Sequence, residues 1–124
     1  YEIYIKIYSD NPNHPDIAKT LKNIGLVYKK KGYNDKAIEY LEKSYTIYKV
    51  VYNDNLNQPS LANTLKTIGT VYKEKGDYIK ALEYYDKSYE IYRKIYTDNP
   101  NHPDIADTLN DIGFVYSKKC DYNK

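Results

Sequence analysis

Apolar residues recur at helical spacing along five stretches of the chain, separated by short polar or glycine-bearing breaks. Ile17, Leu21, Ile24 and Tyr28 follow one another at steps of three and four, which places them on one face of a helix. Leu61, Leu65, Ile68 and Tyr72 repeat that pattern, and so do Ile105, Leu109, Ile112 and Tyr116. Each of these runs opens on a proline, Pro15, Pro59 or Pro103, at a position where a missing N–H costs no intrahelical bond. Asp16 and Asp104 beside two of those prolines favour the positive end of the helix dipole. Gly32 and Gly76, preceded by "KKK" and "KEK", supply helix ends. Second helices are predicted from about 34 to 52 and from about 78 to 96. Their stripes are Ala37, Leu41, Ser44, Tyr45, Tyr48 and Tyr52, then Ala81, Tyr85, Ser88, Tyr89, Tyr92 and Tyr96. Polar connectors such as "NDNLNQ" lead back to the next first helix.

The spacing between these stretches is regular. Pro15, Pro59 and Pro103 are 44 residues apart, as are Gly25, Gly69 and Gly113, and Tyr28, Tyr72 and Tyr116. "DNPNHPDIA" at 10–18 returns unchanged at 98–106, two periods later, with the degenerate copy "DNLNQPSLA" midway at 54–62. A period of this size marks stacked supersecondary units. Residues 1–124 are therefore expected to form a single repeat array, with 1–8 the end of a preceding repeat, 15–58 repeat one, 59–102 repeat two and 103–124 the first helix of repeat three. Gly25, Gly69 and Gly113 sit inside the first helices, where glycine costs about 1 kcal/mol relative to alanine. Their reuse predicts a close helix–helix approach at each copy, with Ala37 and Ala81 as the opposing surface.

Composition narrows the class. Hydrophobic residues at 41% and charged residues at 29% of 124 suit one helical domain. No apolar run exceeds three residues, so no membrane span is expected, and no secretory leader or Asn-x-Ser/Thr acceptor is present. A single cysteine, Cys120, fits a reducing compartment, and the cytoplasm is the expected location. Eighteen tyrosines stand against one phenylalanine, a preference for rings that are buried while their hydroxyls stay at water.

"L-x-x-I-G-x-x-Y" (Leu21, Ile24, Gly25, Tyr28), then Gly32, then Ala37-x-x-x-Leu41, resembles the tetratricopeptide repeat. "TIGTVYKEKGDYIKALEYYDKSYEIY" in the second copy matches best. The 44-residue unit, longer than the usual 34, and "HPDIAxTL" ahead of the first helix make the chain similar to kinesin light chain repeats. Leucine stands where the family pattern has tryptophan. The resemblance implies an all-α solenoid of antiparallel helix pairs, wound into a right-handed superhelix whose first helices line a concave groove for peptides.

Comparison of 9–32 with 97–120 shows where the copies differ: Ser9/Thr97, Lys19/Asp107, Lys22/Asn110, Asn23/Asp111, Leu26/Phe114, Lys29/Ser117 and Gly32/Cys120. In the family pattern the positions of Lys19, Lys22, Leu26 and Lys29 face the groove. The same register holds Asn63, Lys66, Thr70 and Lys73 in copy two, and Asp107, Asn110 and Phe114 in copy three. Two explanations remain open: drift of a solvated face, or a groove written for one ligand. Net charge runs from +4 over 15–31 through +2 over 59–75 to −1 over 103–119, which suits a protein or peptide partner with an acidic segment and an apolar anchor. The family's Lys/Asn carboxylate clamp does not carry over, because Leu26 occupies the Asn position.

Other chemistries find no support. The overall charge of +2 is too balanced to indicate nucleic acid or an anionic membrane. "DNPNHPD" lacks the glycine and glutamate of a calcium loop, and no phosphate-loop, nucleophile-elbow or zinc-protease motif occurs. His14 and His102 are read as helix-start residues and not as metal ligands. "KKKG" at 29–32 is read as a helix terminus, and the tyrosine stripe of the second helices as packing. No cofactor or metal and no enzymatic activity is expected. A second reading is a scaffold that self-associates head to tail, Tyr1, Tyr4 and Tyr8 docking on Ile105, Leu109, Ile112 and Tyr116 of another molecule. Cys120, in place of the helix-ending glycine, predicts that the last first helix ends differently from the others.

Overall fold

In the computed structural model the described residues are 14–122, with side chains described as far as 119. They form five helices: α1 (Pro15–Lys30), α2 (Asn34–Val51), α3 (Pro59–Lys75), α4 (Tyr78–Ile95) and α5 (Pro103–Tyr122). No strand occurs among the described residues. The chain divides into two compact units, Tyr1–Leu56 holding α1 and α2, and Asn57–Lys124 holding α3, α4 and α5.

Helix ends are set by the residues that the sequence marks. Pro15, Pro59 and Pro103 are the first helical residues of α1, α3 and α5. His14 and His102 cap two of them, each accepting at Nδ1 the backbone N–H two residues on, from Asp16 at 3.0 Å and Asp104 at 3.1 Å. Such a bond requires an Nδ1 without a proton, so the helix-start role fixes the ring tautomer. Asp77 caps α4 by accepting from the N–H of Lys80 at 3.2 Å. Gly32 and Gly76 take φ of +82° and +88°, the left-handed conformation that ends α1 and α3. Paired bonds close both turns: Gly32 N–H to Lys29 O with Tyr33 N–H to Tyr28 O, and Gly76 N–H to Lys73 O with Asp77 N–H to Tyr72 O. Where Cys120 replaces that glycine, α5 runs straight through it and reaches 20 residues.

In the first unit α1 buries Ile17, Ala18 and Leu21 against α2, which buries Ala37, Leu41, Ser44 and Tyr48. Fully burying a side chain of leucine size contributes about 1.5–3 kcal/mol. Ser44, also buried, donates to the Ala18 carbonyl at 2.7 Å. The second unit repeats the device, Ser88 donating to Ala62 O at 2.8 Å. Tyr85 fills the place of Leu41 and is wholly buried. Tyr92 packs with Ala62 and Ile105, ringed by the half-buried Tyr89 and Tyr96, so the tyrosine stripe does join α4 to its neighbours.

The glycine expectation holds at two copies of three. A Cβ on Gly25 would lie 2.8 Å from Leu41 Cγ, and one on Gly69 would lie 2.9 Å from the Tyr85 ring, with the Ala37 and Ala81 carbonyls at 3.2 and 3.1 Å. Gly113 faces nothing within 4 Å. The apolar stripe of α5 is likewise only partly used: Ile105 is buried, but Leu109 is 46% and Tyr116 52% exposed. Val115 and Ile112 pack instead against Ala81, Leu82 and Tyr85 of α4. The reason is that α1 and α3 are each covered by the helix that follows them, whereas among the described residues no helix plays that part for α5.

Candidate peptide-binding groove

The residues assigned to the groove lie off the packing stripes in both units. On α1, Lys19 is exposed, and Lys22 and Lys29 are half-buried. Leu26 is 37% exposed. Burial holds the Lys22 ammonium below the usual lysine range, since a desolvated charge is disfavoured. Leu26, Val27, Lys29 and Lys30 line an open hollow of about 350 Å³.

In the second unit α3 and α5 contribute side chains that meet. Lys66 Nζ lies 3.8 Å from Asp111 Oδ2, both half-buried. Lys73 Nζ sits 4.9 Å from the centre of the Phe114 ring, and Lys118 Nζ 5.4 Å from it. Phe114 nonetheless remains 48% exposed. Asp107 and Asn110 are exposed on α5. Asn63 is exposed as well, yet its side chain is hydrogen-bonded to the Tyr92 hydroxyl.

Thr70 ties this face to the core. Its hydroxyl donates to the Lys66 carbonyl at 3.1 Å and lies 2.9 Å from the Tyr85 hydroxyl. A threonine has one hydroxyl proton, so with that proton on Lys66 O the Tyr85 hydroxyl is the donor to Thr70 Oγ1. Burial pushes the Tyr85 phenol up to about 12, and Asp111 and Glu74 add to the shift. Tyr92 is also pushed up to about 12, by burial first and then by Asp104.

Asp111, Lys118 and the Tyr85 hydroxyl are the partners that sequence reasoning did not include in the groove. The Asn23/Asp111 difference between copies was the visible signal for the first of them. Tyr85 differs from Leu41 at an interior position, and the core role of its ring gives no hint that its hydroxyl reaches Thr70.

The docking residues of the self-association reading are split. Tyr1, Tyr4 and Tyr8 lie outside the described residues. Ile105 and Leu109 line, with Tyr89, Arg93, Tyr96 and Pro100, a hollow of about 250 Å³. Beside it the Tyr96 ring stacks on His102 at 3.6 Å, and its hydroxyl donates to Asp104 Oδ2 at 3.0 Å.

The family model for the tetratricopeptide repeat matches residues 60–124, and a second model of the same repeat matches residues 18–50. The chain belongs to the tetratricopeptide repeat family. Among solved structures, the crystal structure of BtubC (BKLC) from P. vanneervenii superposes with a TM-score of 0.76 at 21% identity, over 89% of this chain and 42% of that one. A putative kinesin light chain from Podosopora anserina, with nearly identical TPR-like repeats, also gives 0.76, at 19% identity over 93% of this chain and 54% of that one. The tetratricopeptide chain described here thus spans about half the length of these structures, and at such identities the likeness is one of fold. No curated protein matches the sequence closely enough to count as a relative. Tetratricopeptide repeats are in general non-catalytic protein-interaction modules, and no described helix is long and apolar enough to cross a membrane.

Proposed function

We propose that the chain is a peptide-binding tetratricopeptide module that takes an acidic segment with an apolar anchor, and that it acts in the cytoplasm without catalysing a reaction. The observation that carries this reading is that four of the seven differences between the copies fall on one helical face while the packing stripe is unchanged. Between 9–32 and 97–120, Ile17, Leu21, Ile24, Gly25 and Tyr28 keep their identities, while Lys19, Lys22, Leu26 and Lys29 become Asp107, Asn110, Phe114 and Ser117. Positions of the second kind are exposed or half-buried in α1, α3 and α5. In the first unit an acidic segment suits Lys19, Lys22 and Lys29 of α1, with an apolar side chain on Leu26; in the second unit Phe114 is the apolar residue of the face that remains accessible.

Self-assembly is the second reading, favoured by the exposed Leu109, which lines the hollow at the start of α5, and by the exposed Tyr116 further along that helix. One experiment separates the two. A peptide array spanning acidic, neutral and basic sequences, with and without aromatic residues, is probed at low and high salt with wild type and Lys22→Glu/Lys66→Glu. Salt-sensitive capture of acidic, aromatic-bearing peptides that the double variant loses supports the groove. Capture of nothing, with a sedimentation coefficient that rises with concentration, supports self-assembly.

A further inference from the structure

We infer that Asp111 is a resident competitor in the second unit's groove: it occupies the Lys66 ammonium until a ligand carboxylate, held there by an apolar neighbour on Phe114, displaces it. The inference rests on the groove reading above and names the ligand of that site. Three contacts between or along α3 and α5 support it: the Lys66–Asp111 pair at 3.8 Å, and the Lys73 and Lys118 ammonium groups at 4.9 and 5.4 Å from Phe114. Lys66, Lys73 and Lys118 are therefore engaged inside the protein. A carboxylate alone gains little there, because it exchanges one half-exposed ion pair for another, and such pairs are worth about 0–1 kcal/mol.

An apolar side chain changes that balance. Phe114 keeps 48% of its surface exposed, so a ring or aliphatic group laid on it loses water from both surfaces. The two ammonium groups keep their place at the ring, since a cation near an aromatic face tolerates partial desolvation better than one in an apolar hollow. Binding to Phe114 raises the local concentration of any carboxylate tethered at the right distance, and that tether is what lets it compete with Asp111.

The spacing follows from helix geometry. Asp111 and Phe114 are three residues apart on α5, about 5 Å of rise, and Lys66 and Lys73 are seven apart on α3, about 10 Å. An extended peptide advances about 3.3 Å per residue. The ligand is accordingly an extended segment with Asp or Glu two or three residues from a Phe, Trp, Leu or Ile. Copy one has Asn23 at the register of Asp111 and copy two has Thr67, so this competitor is a property of α5 alone.

The test uses two capped hexapeptides, Gly-Glu-Gly-Gly-Phe-Gly and its Gln counterpart, titrated into the full chain and followed by NMR shifts. Asp111→Asn is compared with Glu83→Gln, which makes the same change of net charge at an exposed position of α4 to which no groove role is assigned. The expected result is a Kd for the Glu peptide about two- to five-fold lower in Asp111→Asn, with the Gln peptide and the Glu83→Gln variant little changed. Phe114→Ala weakens both peptides. Equal gains in Asp111→Asn and Glu83→Gln, or equal gains for both peptides, would overturn the competitor while leaving the groove reading in place. Binding of neither peptide to any variant would overturn both.

Discussion

Gly69 and Gly113 occupy the same register of the repeat and the same kind of helix, yet one is pressed by a neighbour and the other is not. Alanine at either position gains about 1 kcal/mol of helix propensity. At Gly113 nothing lies within 4 Å of the added Cβ, so that gain is retained and Gly113→Ala is expected to be stabilising by up to about 1 kcal/mol. At Gly69 the methyl group would sit 2.9 Å from a wholly buried tyrosine ring and 3.1 Å from a backbone carbonyl, neither of which can swing away. Overpacking of this kind costs about 1–3 kcal/mol and outweighs the propensity gain, so Gly69→Ala is expected to destabilise. Urea titrations of both variants, read by circular dichroism, check the opposite signs; a shift of the same sign in both would show that propensity or strain acts alone. The repeat of glycine in the sequence predicted three close approaches, but only a neighbour makes one, and neighbours are not written in the register.

Helix limits were legible because local chemistry sets them. Proline at the first turn, glycine beyond the last and the 3.6-residue stripe act within a few residues of themselves, and α1 to α4 begin and end within a residue or two of the expected places. The side-chain contacts of the candidate groove face were legible in part. Lys66, Lys73 and Phe114 belong to the face that the periodicity marks, but their partners come from another helix, 45 residues on for Lys66 and Asp111, and that pairing depends on how α3 and α5 pack. The Thr70–Tyr85 bond shows the same limit, because it joins a groove position to a core position across two helices. Thr70→Val keeps the shape but strands the Tyr85 hydroxyl, with an expected loss of about 1–3 kcal/mol. Tyr85→Phe removes the donor and leaves Thr70 with its bond to Lys66 O, so it should cost less. The double variant should be no worse than Thr70→Val alone, and a double-mutant cycle in which the two losses simply add would show that the bond contributes nothing.

Across the whole chain, titration at alkaline pH separates this interior tyrosine from the lysines that dominate the surface. Eighteen tyrosines and 19 basic residues give the molecule a large change of charge above pH 10, from a formal +2 at neutrality to strongly negative. That change destabilises any compact state by self-repulsion and is common to wild type and to single variants. Tyr85 adds a separate contribution. Its phenol ionises near 10.0 when unfolded and near 12 in the folded protein, so between those values the unfolded chain has lost a proton that the folded chain retains. Stability from this group is fully present below pH 10 and is lost as pH rises through about 12, as it is for Tyr92. Copy one has Leu41 in the place of Tyr85 and carries no such liability there. Tyr85→Phe keeps the ring against Gly69 and removes the ionising oxygen. Its urea midpoint is therefore expected to lie below that of wild type at pH 8 and to fall less between pH 10 and 12, so that the two curves converge. Parallel curves over that window would mean that the Tyr85 hydroxyl reaches water in the folded state and that its ionisation adds nothing to the alkaline transition.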